Sequence, residues 1–396
     1  MCALKEYNLN EILENVAEFC DFLEWHYALR DFESIGQNYF GFLVPLYLIG
    51  TDGTEKEVKL SLVLKLAPTD KRFRLSDAVT RMFDREMFVY RLVLSKYREI
   101  QQSLSVVHFV IPTCYYIRQK YCEEVIVMQD MREDGYMPYT GQAFLDLDHT
   151  LVSLKSLAKF HALSFILKQI DEKLYNEIEQ KCVPLSDLTD KRFMEVLNDR
   201  LLKALEKFVD TQYVSLLSNL QRNCVEYIKQ TAEFTAATCI CHGDMWKENI
   251  LFKYRDTKPV EACIIDYQTT RTCSLAYDVL YLITSSTDST LRRQHFGQLL
   301  DTYYETFDNY IKTAGYGTEA LYPRTSFDND LKVVAPACLI VANTALWLSN
   351  GLQQEGHVRS KNILSTYEEI STAVQKYTSV VKNIIDDFSM YGYLNV

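Results

Sequence analysis

The chain has 396 residues, 48% hydrophobic and 24% charged, a composition that excludes disordered and fibrous classes and can fill a sizeable core. Its 42 Lys and Arg against 53 Asp and Glu leave a net charge of -11. That is the wrong sign for holding a nucleic-acid backbone by charge neutralisation, so no nucleic-acid partner is expected.

About 400 residues predict two domains or lobes, and 27 Tyr, 20 Phe and 3 Trp supply large apolar surfaces to fill them. Lys5, Glu6 and Glu11 break the opening segment, so no secretory signal is expected. Neither an acyl-acceptor Gly after Met1 nor a prenylation box is present. Pro336, Asn343 and Thr344 interrupt the most membrane-like stretch, residues 333–348, which is shorter than the roughly 20 residues of a spanning helix. It predicts a buried core helix and no membrane partner. Eleven cysteines without a signal predict free thiols in a reducing compartment, the cytoplasm. Cys239, Cys241 and His242 lie close together but lack the Cys-x2-Cys spacing that closes around zinc, which predicts buried thiols instead.

In chain order, residues 8–30 predict a helix, with Ile12, Val16, Phe19 and Leu23 on one face. A turn, Thr51-Asp-Gly53-Thr, lies between two apolar, β-branched runs that begin near Ser34 and end at Lys65, which predicts a hairpin. Residues 76–97 predict a helix, and residues 106–116 and 124–128 two further strands, the first interrupted by Pro112. This small unit ends near Met128. Beyond Gln129-Asp130-Met131 and Gly135 come long predicted helices over residues 143–170, 188–232, 291–314, 328–350 and 362–386, with one β-rich island over residues 239–266.

The island carries the chemistry. It reads His242-Gly-Asp244-Met-Trp246-Lys-Glu-Asn249, then an apolar strand ending in Ile264-Ile265-Asp266-Tyr-Gln268. His-x-Asp, an Asn five residues beyond the Asp, and a second Asp at a strand end form the layout used in kinase-type phosphoryl transfer. Asp244 is the candidate base for an attacking hydroxyl. Asn249 and Asp266 are the candidate Mg²⁺ ligands, one a neutral amide oxygen and the other an anionic oxygen that brings the metal onto nucleotide phosphates. His242 belongs to the catalytic set, chiefly as an imidazole bonding the loop backbone and Asp266, with proton shuttling as the alternative.

The upstream half supplies nucleotide-binding candidates. Lys65 sits in an apolar strand, where its ammonium requires an anionic partner, and Glu86 on the following helix can hold it. Gly36 and Asn38, with Gly41, begin the hairpin and let backbone N–H groups approach phosphate. The segment from Met128 through Asp130 to Met131 joins the two halves, where adenine would bond to backbone groups. His161 falls on an apolar helix face with Leu154, Ala158 and Phe165, which predicts a core histidine. Tyr303, Tyr304, Trp347 and Tyr367 are aromatics of the helical half that would either fill its core or line a pocket for a rigid ring.

On these motifs, together with Phe83-x-x-Glu86-x-x-Phe-x-Tyr90, Phe160-His161-Ala162 and Tyr277-Asp278-Val-Leu-Tyr, nearly the whole chain resembles the ecdysteroid kinase-like, or CHK kinase-like, family. That family is related to choline kinases and aminoglycoside phosphotransferases. The resemblance implies an α+β, two-lobed protein-kinase-like fold. Its small β-rich N-lobe with one key helix would take residues 1–128, a hinge residues 129–135, and a larger, mainly helical C-lobe residues 136–396. It also implies ATP and Mg²⁺ as cofactors, and transfer of the γ-phosphate to a hydroxyl of a small molecule, an ecdysteroid or similar steroid-like alcohol. Asp278 would brace the catalytic loop. Two alternatives use the same fold: a kinase for a cationic acceptor such as choline or an aminoglycoside, and a catalytically silent nucleotide-binding protein. Intact Lys65, Glu86, Asp244, Asn249 and Asp266 argue against the silent form.

Overall fold

The computed structural model describes residues 7–30, 41–54, 56–74, 78–105, 108–184, 186, 190–353 and 363–394. Helix α1 (Leu9–Phe19) starts at Asn8, whose side chain accepts the Glu11 N–H, and buries Ile12, Leu13, Val16 and Ala17. It is shorter than the helix predicted over residues 8–30. Asp21 takes a left-handed backbone (φ 55°) and ends the helical path. The following residues form strand β1 (Glu24–Leu29), and Leu23 is exposed.

β1 is the edge of a five-stranded antiparallel sheet ordered β1-β2-β3-β5-β4, with β2 at Phe42–Thr51, β3 at Glu57–Leu66, β4 at Cys114–Arg118 and β5 at Val125–Gln129. The β2–β3 hairpin closes where predicted, because Asp52 Oδ1 accepts the N–H groups of Thr54 and Lys56. β4 begins only after Pro112. Upstream of it, the Gln101 side chain bonds both the N–H (2.9 Å) and the carbonyl (3.0 Å) of Phe109, so that backbone needs no strand partner.

Against the sheet lie α2 (Ala78–Phe88), a π-helical turn (Val89–Val93) and α3 (Leu94–Gln102), a longer and less regular run than the helix predicted over residues 76–97. The remaining chain is mostly helical. After β6 (Tyr136–Pro138) come α4 (Leu147–Ile170) and α5 (Glu172–Lys181), then α6 (Lys191–Lys207), α7 (Val214–Arg222) and α8 (Cys224–Glu233). The last three replace the single helix predicted over residues 188–232. Four short strands follow, β7 (Cys239–Cys241), β8 (Ile250–Arg255), β9 (Lys258–Ile264) and β10 (Arg271–Cys273); β6, β8 and β9 form one sheet, and β7 pairs with β10. The chain closes with α9 (Leu275–Ser286), α10 (Ser289–Thr313), α11 (Thr318–Leu321), α12 (Arg324–Ser349) and α13 (Tyr367–Met390).

Two helices, α4 and α12, are long and apolar enough to cross a membrane, and most of each is buried inside the protein. All twelve residues of α9 are buried. A helix covered on every side has no polar face, so periodicity alone does not announce it. The result is a two-lobed α+β fold, a small β-rich lobe with helix α2 beside a larger, mainly helical one.

Candidate active site

Along β3 the side chains alternate. Leu62, Leu64 and Leu66 enter the core under α1, while Lys65 points the other way, toward α2. Its Nζ lies 2.5 Å from Glu86 Oε2 and 2.7 Å from Asp266 Oδ1, at 2% exposure. One ammonium thus joins β3, α2 and the end of the β8–β9 hairpin. Burial pushes the Glu86 carboxyl up to about 7, against the pull of Lys65 and with a further push from Asp266. Burial alone would depress Lys65, yet Asp266 and Glu86 hold it above its ordinary value.

The loop after β7 is fixed by its backbone. Asp278, buried on α9, accepts the His242 N–H at 2.6 Å and the Gly243 N–H at 3.0 Å. Gly243 has φ 85°, and a Cβ there would stand 2.3 Å from the Thr269 carbonyl oxygen. Arg271 donates to the Gly243 carbonyl at 3.0 Å, and the Thr269 hydroxyl to the His242 carbonyl at 3.1 Å. His242 Nδ1 accepts the Asp244 N–H at 3.3 Å, which leaves the ring proton on Nε2 for the Ile265 carbonyl at 3.0 Å. The ring therefore binds backbone on both sides, and its partner near the strand end is Ile265 where Asp266 was expected.

Asp244 receives two side-chain hydrogen bonds. The Tyr281 hydroxyl donates to Oδ1 and Asn249 Nδ2 to Oδ2, each at 3.1 Å. Burial raises the Asp244 carboxyl above its usual range, opposed by His242 and reinforced by Asp266. Asn249 Nδ2 also holds the Asp244 carbonyl at 2.9 Å, and the Asn249 carbonyl accepts the Ile265 N–H at 3.0 Å. Asn249 Oδ1 accepts no hydrogen bond among the described residues. Asp266 itself is left-handed (φ 69°), a conformation that Asp tolerates better than most residues. Tyr281 and Arg271 were not singled out from the sequence. Tyr281 stands one helical turn beyond Asp278, and that spacing was the available signal.

Elsewhere the predicted residues meet different surroundings. Gly36 and Asn38 lie outside the described residues. Gly41 is described, and a Cβ there would fall 2.8 Å from the Leu66 carbonyl oxygen. Met128 accepts a long contact from the Tyr90 hydroxyl, 3.7 Å from its sulfur. The Asp130 carboxylate binds Arg132 (2.5 Å) and Arg30 (3.1 Å), and the Asp130 N–H goes to the Ser61 carbonyl at 2.9 Å. Met131 is buried with Tyr136 and Cys263, and its N–H has no backbone acceptor among the described residues.

His161 is the core histidine predicted, bonding the Tyr303 hydroxyl at 2.7 Å and Asp278 Oδ2 at 3.2 Å. It, rather than His242, meets Cys239 and Cys241, with all ligand atoms within 4.8 Å of one another. With both its nitrogens engaged and both thiols raised by burial, the trio reads as packing. Tyr303 and Tyr304 pack on Phe327, Trp347 packs on Tyr377, and Tyr367 is exposed, so the four aromatics line no common pocket.

Among solved structures, the chain is similar to a GDP complex of wild-type aminoglycoside 2'-phosphotransferase-IIIa (14% identity, TM-score 0.42, covering 95% of this chain and 98% of that one). It is also similar to choline kinase LicA from Streptococcus pneumoniae (8%, TM-score 0.38, 94% and 99%) and to a glucosamine kinase (13%, TM-score 0.41, 96% and 80%). No curated protein matches the sequence. The model of the ecdysteroid kinase-like family matches residues 35–316, most of the chain, and the chain belongs to that family.

Proposed function

We propose that the chain is an ATP-dependent phosphotransferase that moves the γ-phosphate to a hydroxyl of a small molecule, an ecdysteroid or similar steroid-like alcohol. The observation that carries this reading is the meeting of Lys65, Glu86 and Asp266 beside the hydrogen-bonded pair Asp244 and Asn249. The acceptor class follows the family to which the chain belongs. In this reading residues 1–128 hold nucleotide, residues 129–135 connect, and residues 136–396 carry the catalytic loop and acceptor pocket.

The residues present fit Mg²⁺ and ATP. The Asp266 carboxylate and the unbonded Asn249 Oδ1 are hard oxygen donors of the kind Mg²⁺ takes. The Met131 N–H, which has no backbone acceptor among the described residues, is the candidate donor to adenine. When bound, the magnesium nucleotide supplies the phosphoryl group and the positive charge that offsets its oxygens.

This chain's own residues do the rest. Lys65, fixed by Glu86 and Asp266, presents an ammonium to phosphate oxygens. Asp244 orients the acceptor hydroxyl and takes its proton at a carboxylate oxygen, while Tyr281 and Asn249 hold that carboxylate in one rotamer. His242 positions the loop through backbone bonds on both ring nitrogens and touches no reacting atom.

The test is ATP turnover with Mg²⁺ on 20-hydroxyecdysone, plant sterols, choline and an aminoglycoside. Asp244→Ala is expected to lower kcat by about 10² to 10⁴. Asp266→Asn is expected to weaken Mg²⁺-dependent nucleotide binding as well. Turnover confined to a steroid alcohol and lost in Asp244→Ala supports the reading; undiminished turnover in both variants overturns it.

A further inference from the structure

A cavity of about 390 Å³ lies between the segment before β4, strand β9 and helices α4 and α10. None of Lys65, Glu86, Asp244, Asn249 or Asp266 borders it. Its volume is within the range of small-molecule sites and exceeds that of a lone inorganic anion. Its charged groups are mainly cationic in a protein of net charge -11: Lys155 and Lys159 stand one turn apart on α4, and His108 lines the cavity from the segment before β4.

Neither ammonium has a carboxylate within ion-pairing distance among the described residues. Lys159 Nζ donates to the His108 carbonyl at 3.4 Å, which leaves donors free. Burial depresses the Lys159 ammonium below its ordinary value, only partly offset by Glu261, which marks an under-compensated cation. Glu261 is the sole carboxylate among the described residues that line the cavity, and it accepts the Tyr136 hydroxyl at 3.0 Å. Opposite the lysines, Thr306, Asn309 and Thr313 follow the period of α10 and add neutral polar groups.

We propose that this cleft binds the phosphate group of a small phosphomonoester, with Lys159 and Lys155 as the charged contacts and the α10 side chains meeting the ester's polar body. Lysine serves as a point-charge partner for phosphate without needing a planar, bidentate geometry. Because His108 and Val110 lead into β4 while the rest of the cleft belongs to the helical lobe, an occupant would bridge the two lobes away from Asp244.

The test is calorimetric titration of the full chain with glycerol 3-phosphate, with glycerol as the uncharged control and with excess ATP and Mg²⁺ to cover the nucleotide site. Wild type is expected to bind the phosphate ester and not glycerol. Lys159→Met should weaken binding about tenfold or more, and Lys159→Arg should retain it. Should Lys159→Met fail to fold, Lys155→Met alters an exposed residue and is expected to weaken binding in the same direction. No binding by wild type, equal binding of glycerol, displacement by ATP, or wild-type affinity in a folded lysine-to-Met variant would each overturn the proposal.

Discussion

Asp278 accepts the His242 backbone N–H at 2.6 Å, so a carboxylate on α9 sets the direction in which the loop delivers Asp244. The same carboxylate takes the Gly243 N–H and a bond from His161, all within the core. Removing it strands two buried N–H donors and one imidazole. Asp278→Ala is therefore expected to cost about 3 kcal/mol or more in urea unfolding, and Asp278→Asn less, because the amide keeps one acceptor. Burial pushes the Asp278 carboxyl up, but the His161 hydrogen bond and the charges around it win and hold it below its ordinary value. A depressed carboxyl contributes stability that is present above its unfolded pKa and lost as pH falls through the folded one, so this contribution fades on the acid side of about pH 4. A full acid-side loss in Asp278→Asn equal to wild type would contradict that assignment.

Glu86 behaves in the opposite sense. Its carboxyl is raised to about 7 by burial, with Lys65 pulling down and Asp266 pushing up. Between its ordinary value and about 7 the folded chain holds a proton that the unfolded chain releases. The associated stability is complete below the unfolded pKa and disappears as pH rises through the folded one. Nucleotide-free Glu86→Gln, which cannot titrate, is expected to show a flatter stability profile from about pH 4.5 to pH 7. Chemical denaturation at closely spaced pH values checks this, and identical slopes in the two proteins would refute it.

Gly243 separates His242 from Asp244 with φ 85°, and the Thr269 carbonyl oxygen occupies the space next to it. Any side chain there meets a rigid backbone atom and an unfavourable dihedral together. Gly243→Ala is expected to destabilise by about 2 kcal/mol or more and to displace Asp244 enough to depress turnover. Thermal unfolding and the Tyr281–Asp244 distance in a variant structure report the two effects separately.

The local layout of the candidate site was legible because its residues are close in sequence. Asp244 and Asn249 share one loop, and Asp266 lies just past β9, the second strand of the hairpin that follows, so spacing alone pointed to them. Lys65 and Glu86 were readable for a different reason: an ammonium in an apolar strand demands a carboxylate. What spacing does not encode is which long-range group satisfies a backbone. Tyr281 on Asp244 and Arg271 on Gly243 depend on where α9 and β10 pack. The same holds for the Asp130 carboxylate, whose partner Arg30 comes from a strand edge 100 residues away. Among the elements, the hairpin of β2 and β3 followed from its turn chemistry. The helix predicted over residues 8–30 failed because one left-handed Asp21 leaves hydrophobic spacing nearly intact while redirecting the chain.

The cysteines offer a check on the core that needs no substrate. Among the described residues, Cys182, Cys224, Cys239, Cys241, Cys263, Cys273 and Cys338 are buried as free thiols, while Cys20, Cys114 and Cys122 are partly accessible. Burial pushes the Cys114 thiol up to about 12, which starves it of the reactive thiolate, and raises Cys20 more modestly. Among the described cysteines, iodoacetamide at neutral pH is therefore expected to label Cys122 and Cys20 first in the native chain. The seven buried thiols should react about a thousandfold more slowly or less, since they wait for opening of the surrounding core. Peptide mapping by mass spectrometry, with a urea-unfolded sample as reference, reads each site. Fast native labelling at Cys239 or Cys241 would mean that β7, and with it the loop carrying Asp244, opens far more readily than its hydrogen bonds to Asp278 allow.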